Sequence, residues 1–251
     1  MNAELSGKTA LVTGSTTGLG LEIAAELGRR GAKIALNYCH NGQRADRALA
    51  ELKHEGIEVA LFQASVIDDT EIRRLVSSVG TVLGPVDILV VNATPDQPQR
   101  ALPDYSWSDY QTMLDFFVKS PVLLTQAVLP HMASAQWGRI INIGSEVVHR
   151  APAHFSAYVA AKGAQHAWTR AMARELAPHQ ITVNMVSPGW IPVERHRHTP
   201  PEDKLKYLTQ IPMGRWGVPA DVAVTAAALA SPTMDFVTGQ CIGVSGGMTI
   251  A

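Results

Sequence analysis

Short apolar runs alternate with longer amphipathic stretches along nearly the whole chain. Seven runs rich in Val, Ile and Leu have the length of β-strands and lack strict apolar–polar alternation, as strands covered on both faces do. They are KTALVT (8–13), KIALN (33–37), EVALF (58–62), VDILVV (86–91), GRIINI (138–143), ITVNMV (181–186) and the weaker QCIGV (240–244). Amphipathic stretches with helical spacing lie between them, at 19–30, 42–55, 69–82, 107–133, 154–177 and 219–230. This alternation predicts right-handed βαβ units and a parallel sheet.

The pattern predicts one doubly wound, Rossmann-type α/β domain over residues 1–251, with a seven-stranded parallel sheet and helices on both faces.

Two segments interrupt the alternation. Residues 94–106 are rich in Pro and Asp, and residues 188–213 carry five prolines and a polar stretch. Both follow strands, and ligands of such sheets bind beyond the carboxyl ends of the strands. We therefore expect both to border a pocket, with 190–213 as a substrate lid; a solvated surface excursion is the alternative.

Composition narrows the classes of function. With 21 basic and 22 acidic side chains the net charge is −1, so no broad field favours nucleic acid or a membrane surface. Cys39 and Cys241 are too few for a disulfide framework or a metal cluster. The first ten residues lack the apolar core of a signal peptide, and no apolar run approaches the roughly 20 residues that span a bilayer. We expect a cytoplasmic protein that acts on a small molecule, without a metal.

A glycine-rich turn, TGSTTGLG (13–20), follows the first predicted strand with the spacing G-x-x-x-G-x-G. Gly14 can make a sharp turn, Gly18 leaves room for a pyrophosphate, and Gly20 permits close packing of helix on sheet. The helix that begins near Leu19 presents free N–H groups and its positive dipole end to the phosphates. Because the turn joins a first strand to a first helix, it predicts dinucleotide binding rather than a merely structural turn.

The end of the second strand bears on the choice of dinucleotide. A carboxylate there would bond the adenosine ribose 2′-hydroxyl and repel a 2′-phosphate, but the segment NYCHN (37–41) has none. A basic group that would favour NADP(H) is also missing, and position 17 is Thr17. His40 and Asn41 can hydrogen-bond a phosphate. The sequence therefore favours NADP(H) and leaves NAD(H) open.

Taken together, these features resemble the short-chain dehydrogenase/reductase family. Further matching pieces are Asn92-Ala93 after the fourth strand, Ser145 after the fifth, YVAAK (158–162), Pro188-Gly189 after the sixth, and RWGVPADVA (215–223). The resemblance covers essentially the whole chain, and the last two pieces are similar to the subgroup that includes 3-oxoacyl-carrier-protein reductases. It implies an NAD(P)(H)-dependent oxidoreductase that transfers a hydride between nicotinamide and a ketone or secondary alcohol, with reduction favoured.

The resemblance also implies roles for three residues. Ser145, thirteen positions before Tyr158, hydrogen-bonds the substrate oxygen. Tyr158 gives that oxygen a proton in reduction or takes one in oxidation, and Lys162 lowers the pKa of Tyr158 and holds the nicotinamide ribose. Physical chemistry agrees, because a cation one helical turn away favours a phenolate, and two converging hydroxyls stabilise developing alkoxide charge.

Cofactor contacts are expected from the glycine turn and from segments that follow strands two to six. These residues are Gly14, Ser15, Thr16, Thr17, Gly18, Leu19 and Gly20; Tyr38, Cys39 and His40; Ser65 and Val66; Asn92, Ala93 and Thr94; Tyr158 and Lys162; and Pro188, Gly189, Trp190 and Ile191. Trp190 can wall the pocket or belong to the core.

One departure from the family pattern concerns proton supply. Family members place an Asn in the long helix after strand four, where it holds a water that links the lysine to solvent. Counting back from TQAVLP (125–130), that position is Phe117, which cannot make such a bond. The alternative function is accordingly a dinucleotide-binding protein with weak or lost dehydrogenase activity, acting as a sensor or a partner subunit. By resemblance we also expect a homotetramer.

Overall fold

The seven predicted strands are present. The computed structural model describes residues 4–194 and 199–250. The strands are β1 (Thr9–Val12), β2 (Lys33–Tyr38), β3 (Val59–Gln63), β4 (Ile88–Val91), β5 (Gly138–Ile143), β6 (Ile181–Pro188) and β7 (Cys241–Val244). All pairings are parallel, in the order β3-β2-β1-β4-β5-β6-β7. The predicted doubly wound fold is confirmed.

Helices cover both faces of the sheet. They are α1 (Gly18–Arg29), α2 (Gly42–His54), α3 (Asp69–Val82), α4 (Trp107–Leu114), α5 (Ser120–Ala135), α6 (Val147–Arg150), α7 (Ser156–Leu176), α8 (Pro201–Leu208) and α9 (Pro219–Ala230). Buried side chains of α1 and α9 form one core with one face of the sheet, and those of α3, α5 and α7 form a second core with the other. Strands β1 to β6 therefore contribute apolar side chains on both faces, which explains the missing alternation.

Two helical features were not anticipated by the apolar pattern. The stretch predicted as one helix over 107–133 contains a π-helical segment, Asp115–Lys119, between α4 and α5. Such segments insert one residue into a helix and are frequent at functional sites. Helix α8 lies within the segment predicted as a lid, where its polar composition had suggested irregular structure. The basic run RHRH (195–198), within the segment predicted as a lid, lies outside the described residues.

The continuous helical stretch Trp107–Ala135 is also apolar along much of its length. By length and composition alone it is sufficient to cross a membrane, which the sequence analysis did not expect; core helices of soluble proteins pass the same test. In this structure 39% of its most apolar window is buried inside the protein.

Candidate active site

The carboxyl ends of β1 and β4 meet where the strand order reverses, and the glycine turn lies there. Gly14 has a φ of +60°, which an L side chain rarely adopts, and a Cβ atom there would lie 2.9 Å from the Ala93 Cα atom. At Gly20 a Cβ would lie 2.5 Å from the Asn92 amide nitrogen. Both positions therefore require glycine, because the turn packs closely against the end of β4 and against itself.

Hydrogen bonds join this turn to the end of β4. The buried Thr13 hydroxyl accepts the backbone N–H groups of Asn92, at 2.9 Å, and of Ala93, at 3.0 Å. The Asn92 side-chain amide donates back to the carbonyl oxygens of Thr13 and Gly14. Asn92 thus supports the predicted site by holding the turn in shape.

The first turn of α1 is suited to bind phosphate. Thr17 precedes the helix without capping it through its side chain, and the first turn contains no acidic residue. Uncapped N–H groups and the positive helix dipole favour an anion. This helix end is suited to the pyrophosphate of a dinucleotide, and the Glu194 carboxylate lies beside it, with Oε2 3.6 Å from where a Cβ atom at Gly18 would be.

The ends of β2 and β3 form the side of the site predicted for adenosine. Ser15 is buried: its hydroxyl accepts the Asn37 N–H at 3.0 Å and its own N–H donates to the Asn37 carbonyl at 3.0 Å, so Ser15 holds the turn against β2. The Asn41 side chain caps α2 by accepting the Arg44 N–H, whereas His40 is exposed. Glu71 of α3 accepts the Ser65 N–H at 2.8 Å, which sequence reasoning missed. Burial and then the charge of Glu71 raise the pKa of the Cys39 thiol.

The three predicted catalytic residues come from β5 and α7. Ser145 follows β5, and Tyr158 and Lys162 lie one turn apart on α7, with 8% and 4% of their surfaces exposed. The Lys162 ammonium donates to the Ile143 carbonyl oxygen at 2.6 Å, two residues before Ser145. Val147 packs against the apolar cluster that contains Tyr158. The loop of Ser145 therefore adjoins the face of α7 that carries Tyr158 and Lys162.

Phe117 lies directly against this pair, as the counting from TQAVLP predicts. Its ring centroid is 3.8 Å from the Lys162 Nζ atom and 5.4 Å from the Tyr158 ring centroid, in an edge-on arrangement. The contact with the ammonium is a cation–π interaction, which stabilises the charge without providing a hydrogen-bond relay. The π-helical segment orients Phe117 into the site, and only 1% of its surface is exposed.

Gln165 is a further polar neighbour that sequence reasoning missed. Its side-chain oxygen accepts from Lys162 Nζ at 3.0 Å, and its backbone carbonyl accepts from the Thr169 hydroxyl. Gln165 is 1% exposed. The signal in the sequence was an amide residue three positions after the lysine on the same predicted helix. The Lys162 ammonium is thus held by a carbonyl, an amide oxygen and an aromatic face.

The predicted nicotinamide segment continues from β6. Trp190 is half-buried, and its ring lies edge-on to Tyr207 and to Trp216, with centroid distances of 5.2 and 5.4 Å. Ile191 is buried against Gly217, and the Val193 side chain would lie 3.4 Å from a Cβ at Gly18. The segment therefore runs from the end of β6 towards the glycine turn.

The arrangement of turn, strand ends and α7 is that of a dinucleotide oxidoreductase, and the comparisons agree. A family model described as enoyl-(acyl carrier protein) reductase matches residues 14–249. The chain is 36% identical to the 3-oxoacyl-acyl-carrier-protein reductase FabG of Staphylococcus aureus over 243 residues, which are 96% of this chain and 98% of that protein. This protein belongs to the short-chain dehydrogenase/reductase family. It is an NAD(P)-dependent oxidoreductase, as the sequence predicted.

Further relatives of this short-chain dehydrogenase/reductase are a second FabG reductase and two proteins named as dehydrogenases of gluconate or its derivatives. The FabG reductase of Pseudomonas aeruginosa is 38% identical over 246 residues, covering 97% of this chain and 98% of that protein. A 2-dehydro-3-deoxy-D-gluconate 5-dehydrogenase of Formosa agariphila is 34% identical over 251 residues, covering 98% and 94%. A crystal structure described as a candidate gluconate dehydrogenase from Agrobacterium tumefaciens superimposes with a TM-score of 0.94 at 31% identity, covering all of both chains.

Phe117→Asn is expected to raise kcat by about tenfold, because an amide beside Lys162 can hold a water and restore a route for protons. Steady-state rates in H2O and D2O would measure the gain and the change in solvent isotope effect. An unchanged rate and isotope effect would show that proton supply does not limit the wild-type enzyme. Phe116→Asn, on the neighbouring residue, is the matched control.

Proposed function

We propose that this protein is an NADP(H)-preferring ketoreductase, with Ser145, Tyr158 and Lys162 as its catalytic residues. One observation carries the proposal: the Lys162 ammonium joins the helix of Tyr158 to the end of β5, two residues before Ser145. It donates to the Ile143 carbonyl at 2.6 Å and lies 5.9 Å from the Tyr158 ring centroid. The three side chains thus share one edge of the sheet with the glycine turn.

In this proposal the dinucleotide, when bound, supplies the hydride that is added to the carbonyl carbon. Ser145 donates a hydrogen bond to the carbonyl oxygen and orients it. The C=O π pair moves to that oxygen, and the Tyr158 hydroxyl gives it a proton to complete the alcohol. Lys162 then stabilises the phenolate until a proton from solvent restores the hydroxyl. The reverse sequence oxidises the alcohol.

The preference for NADP(H) is supported by the end of β2. No carboxylate lies between Asn37 and Asn41, His40 is exposed, and Arg44 brings a cation into the first turn of α2. A 2′-phosphate there would meet hydrogen-bond donors and a helix N-terminus. NAD(H) is the alternative cofactor. Arg44 lies in α2, further along the chain than the residues directly after β2, where a dedicated phosphate ligand is expected.

A panel of carbonyl substrates tests this function. The names of the relatives supply two substrate classes, 3-oxoacyl thioesters and oxo derivatives of gluconate, to which simple ketones are added. We expect NADPH oxidation with at least one class, and a kcat/KM for NADPH about tenfold or more above that for NADH. Dinucleotide binding without turnover across the panel would favour the alternative, a binding protein with lost activity.

We also propose that the protein is a cytoplasmic homotetramer. The exposed apolar side chains support assembly. Trp107, at 71% exposure, begins the long helical stretch, Leu102, at 73%, lies in the short turn before it, and the fully exposed Phe236 precedes β7. Apolar surface of this kind is commonly covered by a symmetric partner.

A further inference from the structure

A buried carboxylate directly follows the predicted catalytic serine. Glu146 is 3% exposed, and its backbone N–H donates to the Pro188 carbonyl at 3.0 Å. Its side-chain Oε1 atom accepts from Arg150 Nη1 at 3.0 Å and from the Tyr207 hydroxyl at 2.5 Å. Among the described residues, its Oε2 atom is buried without a hydrogen-bond partner. A carboxylate in such a position is costly to bury, so its two strong bonds are required to hold it.

The Tyr207 hydroxyl joins three segments of the site. It donates to Glu146 on the loop of Ser145 and accepts the Trp190 backbone N–H at 2.7 Å. It would also lie 3.0 Å from a Cβ atom at Gly189, so that glycine leaves the space that the hydroxyl occupies. Tyr207 itself lies on α8. One hydroxyl therefore ties α8 to the ends of both β5 and β6.

Further contacts fix the ring and the carboxylate. The Tyr207 ring stacks on Trp216 with a centroid distance of 5.5 Å, and the Arg150 guanidinium lies 5.0 Å from its centroid. Arg150 also donates to the Gln210 side chain, just beyond α8, at 2.9 Å. Burial and then the bond to Glu146 raise the pKa of Tyr207 far above its usual range, so the phenol stays a neutral donor.

We propose that Glu146 and Tyr207 are positioning residues whose hydrogen bond latches α8 onto the loop of Ser145 and fixes the Trp190 peptide beside the reacting centre. The proposal rests on the proposed function for its effect on catalysis, but not for the existence of the latch. An eight-residue helix is marginal by itself in water, so α8 depends on such anchors. Without the latch, we expect α8, which lies in the segment predicted as a substrate lid, to separate from the loop of Ser145 more often.

Tyr207→Phe and Glu146→Gln test the latch, with Glu58→Gln as matched control, because Glu58 forms an exposed ion pair with Lys33. Tyr207→Phe keeps the ring and its stacking but leaves Trp190 N–H without its acceptor. The first measurement is amide hydrogen exchange of residues 201–208 in the full-length protein, without dinucleotide or substrate. We expect exchange about tenfold faster in Tyr207→Phe, a smaller increase in Glu146→Gln, whose amide oxygen can still accept the Tyr207 hydroxyl, and no change in Glu58→Gln. Unchanged exchange in Tyr207→Phe would overturn the latch, whatever reaction the enzyme catalyses.

The second measurement is steady-state kinetics well below the melting temperature. A latch that positions α8 predicts a KM for the carbonyl substrate raised about tenfold, with kcat lowered less than about threefold. A merely structural role predicts a lower melting temperature with both constants unchanged, and that result would overturn the positioning role. Faster exchange in a protein without turnover would retain the latch and contradict the proposed function instead.

Discussion

Tyr158→Phe is expected to lower kcat by about a thousandfold, while the affinity for the dinucleotide stays within about threefold. The substitution removes only the hydroxyl that would protonate the substrate oxygen. The Tyr158 ring is enclosed by Phe117, at 5.4 Å between centroids, and by Phe155, at 6.0 Å. These contacts do not involve the hydroxyl, so Phe at this position retains the packing and the fold. Turnover of the best panel substrate and fluorescence titration with NADPH measure the two quantities.

Tyr110→Phe is the matched control for this experiment. The Tyr110 hydroxyl bonds the Ser156 hydroxyl at 2.7 Å, close to Tyr158 along α7. Like Tyr158→Phe, this substitution removes one phenol hydroxyl near the start of α7, but from an exposed hydrogen bond. We expect it to change kcat by less than about threefold. Retention of most of the rate by Tyr158→Phe would show that another group protonates the substrate. An equal loss in both variants would indicate a general effect on the apolar cluster around Tyr158.

The glycine turn and the sheet were predictable because their determinants are local. A φ of +60° at Gly14 and the close approach at Gly20 follow from the spacing of glycines between one strand and one helix. Strands covered on both faces read as continuous apolar runs, and the limits of β5 and α3 match their predicted ranges. The place of Phe117 beside Lys162 was likewise predicted, but from the resemblance, by counting back from TQAVLP to the position where the family has Asn.

The latch and the surroundings of Lys162 were not predictable in this way. Glu146 and Tyr207 are 61 positions apart, and neither belongs to a repeating pattern that would pair them. Helix α8 is polar in composition, and nothing in its sequence indicates that the Tyr207 hydroxyl anchors it. That role follows only from the hydrogen bonds of Tyr207 in the structure. Helix propensities likewise do not predict the π-helical segment that contains Phe117.

Lys162→Met is expected to lower kcat by about a hundredfold or more and to weaken dinucleotide binding as well. Methionine is similar in length and keeps an apolar contact with Phe117. It leaves the Ile143 carbonyl and the Gln165 amide oxygen without the donor that bonds them at 2.6 and 3.0 Å. The loss of charge removes the cation that favours the phenolate of Tyr158, and the loss of donors removes the expected bonds to ribose. This double effect separates the variant from Tyr158→Phe, which affects turnover alone.

The pH dependence of alcohol oxidation is the most direct measure of how the positive charge of Lys162 affects Tyr158. Oxidation needs the phenolate as the base, so without the cation the pH of half-maximal rate moves upwards in Lys162→Met. Lys33→Met, which removes an exposed cation paired with Glu58, should leave both the rate and the profile unchanged. A lower rate with an unshifted profile would mean that Lys162 holds the structure of the site without tuning Tyr158. That result would reassign the buried ammonium, held by Ile143, Gln165 and the Phe117 ring, from catalysis to packing.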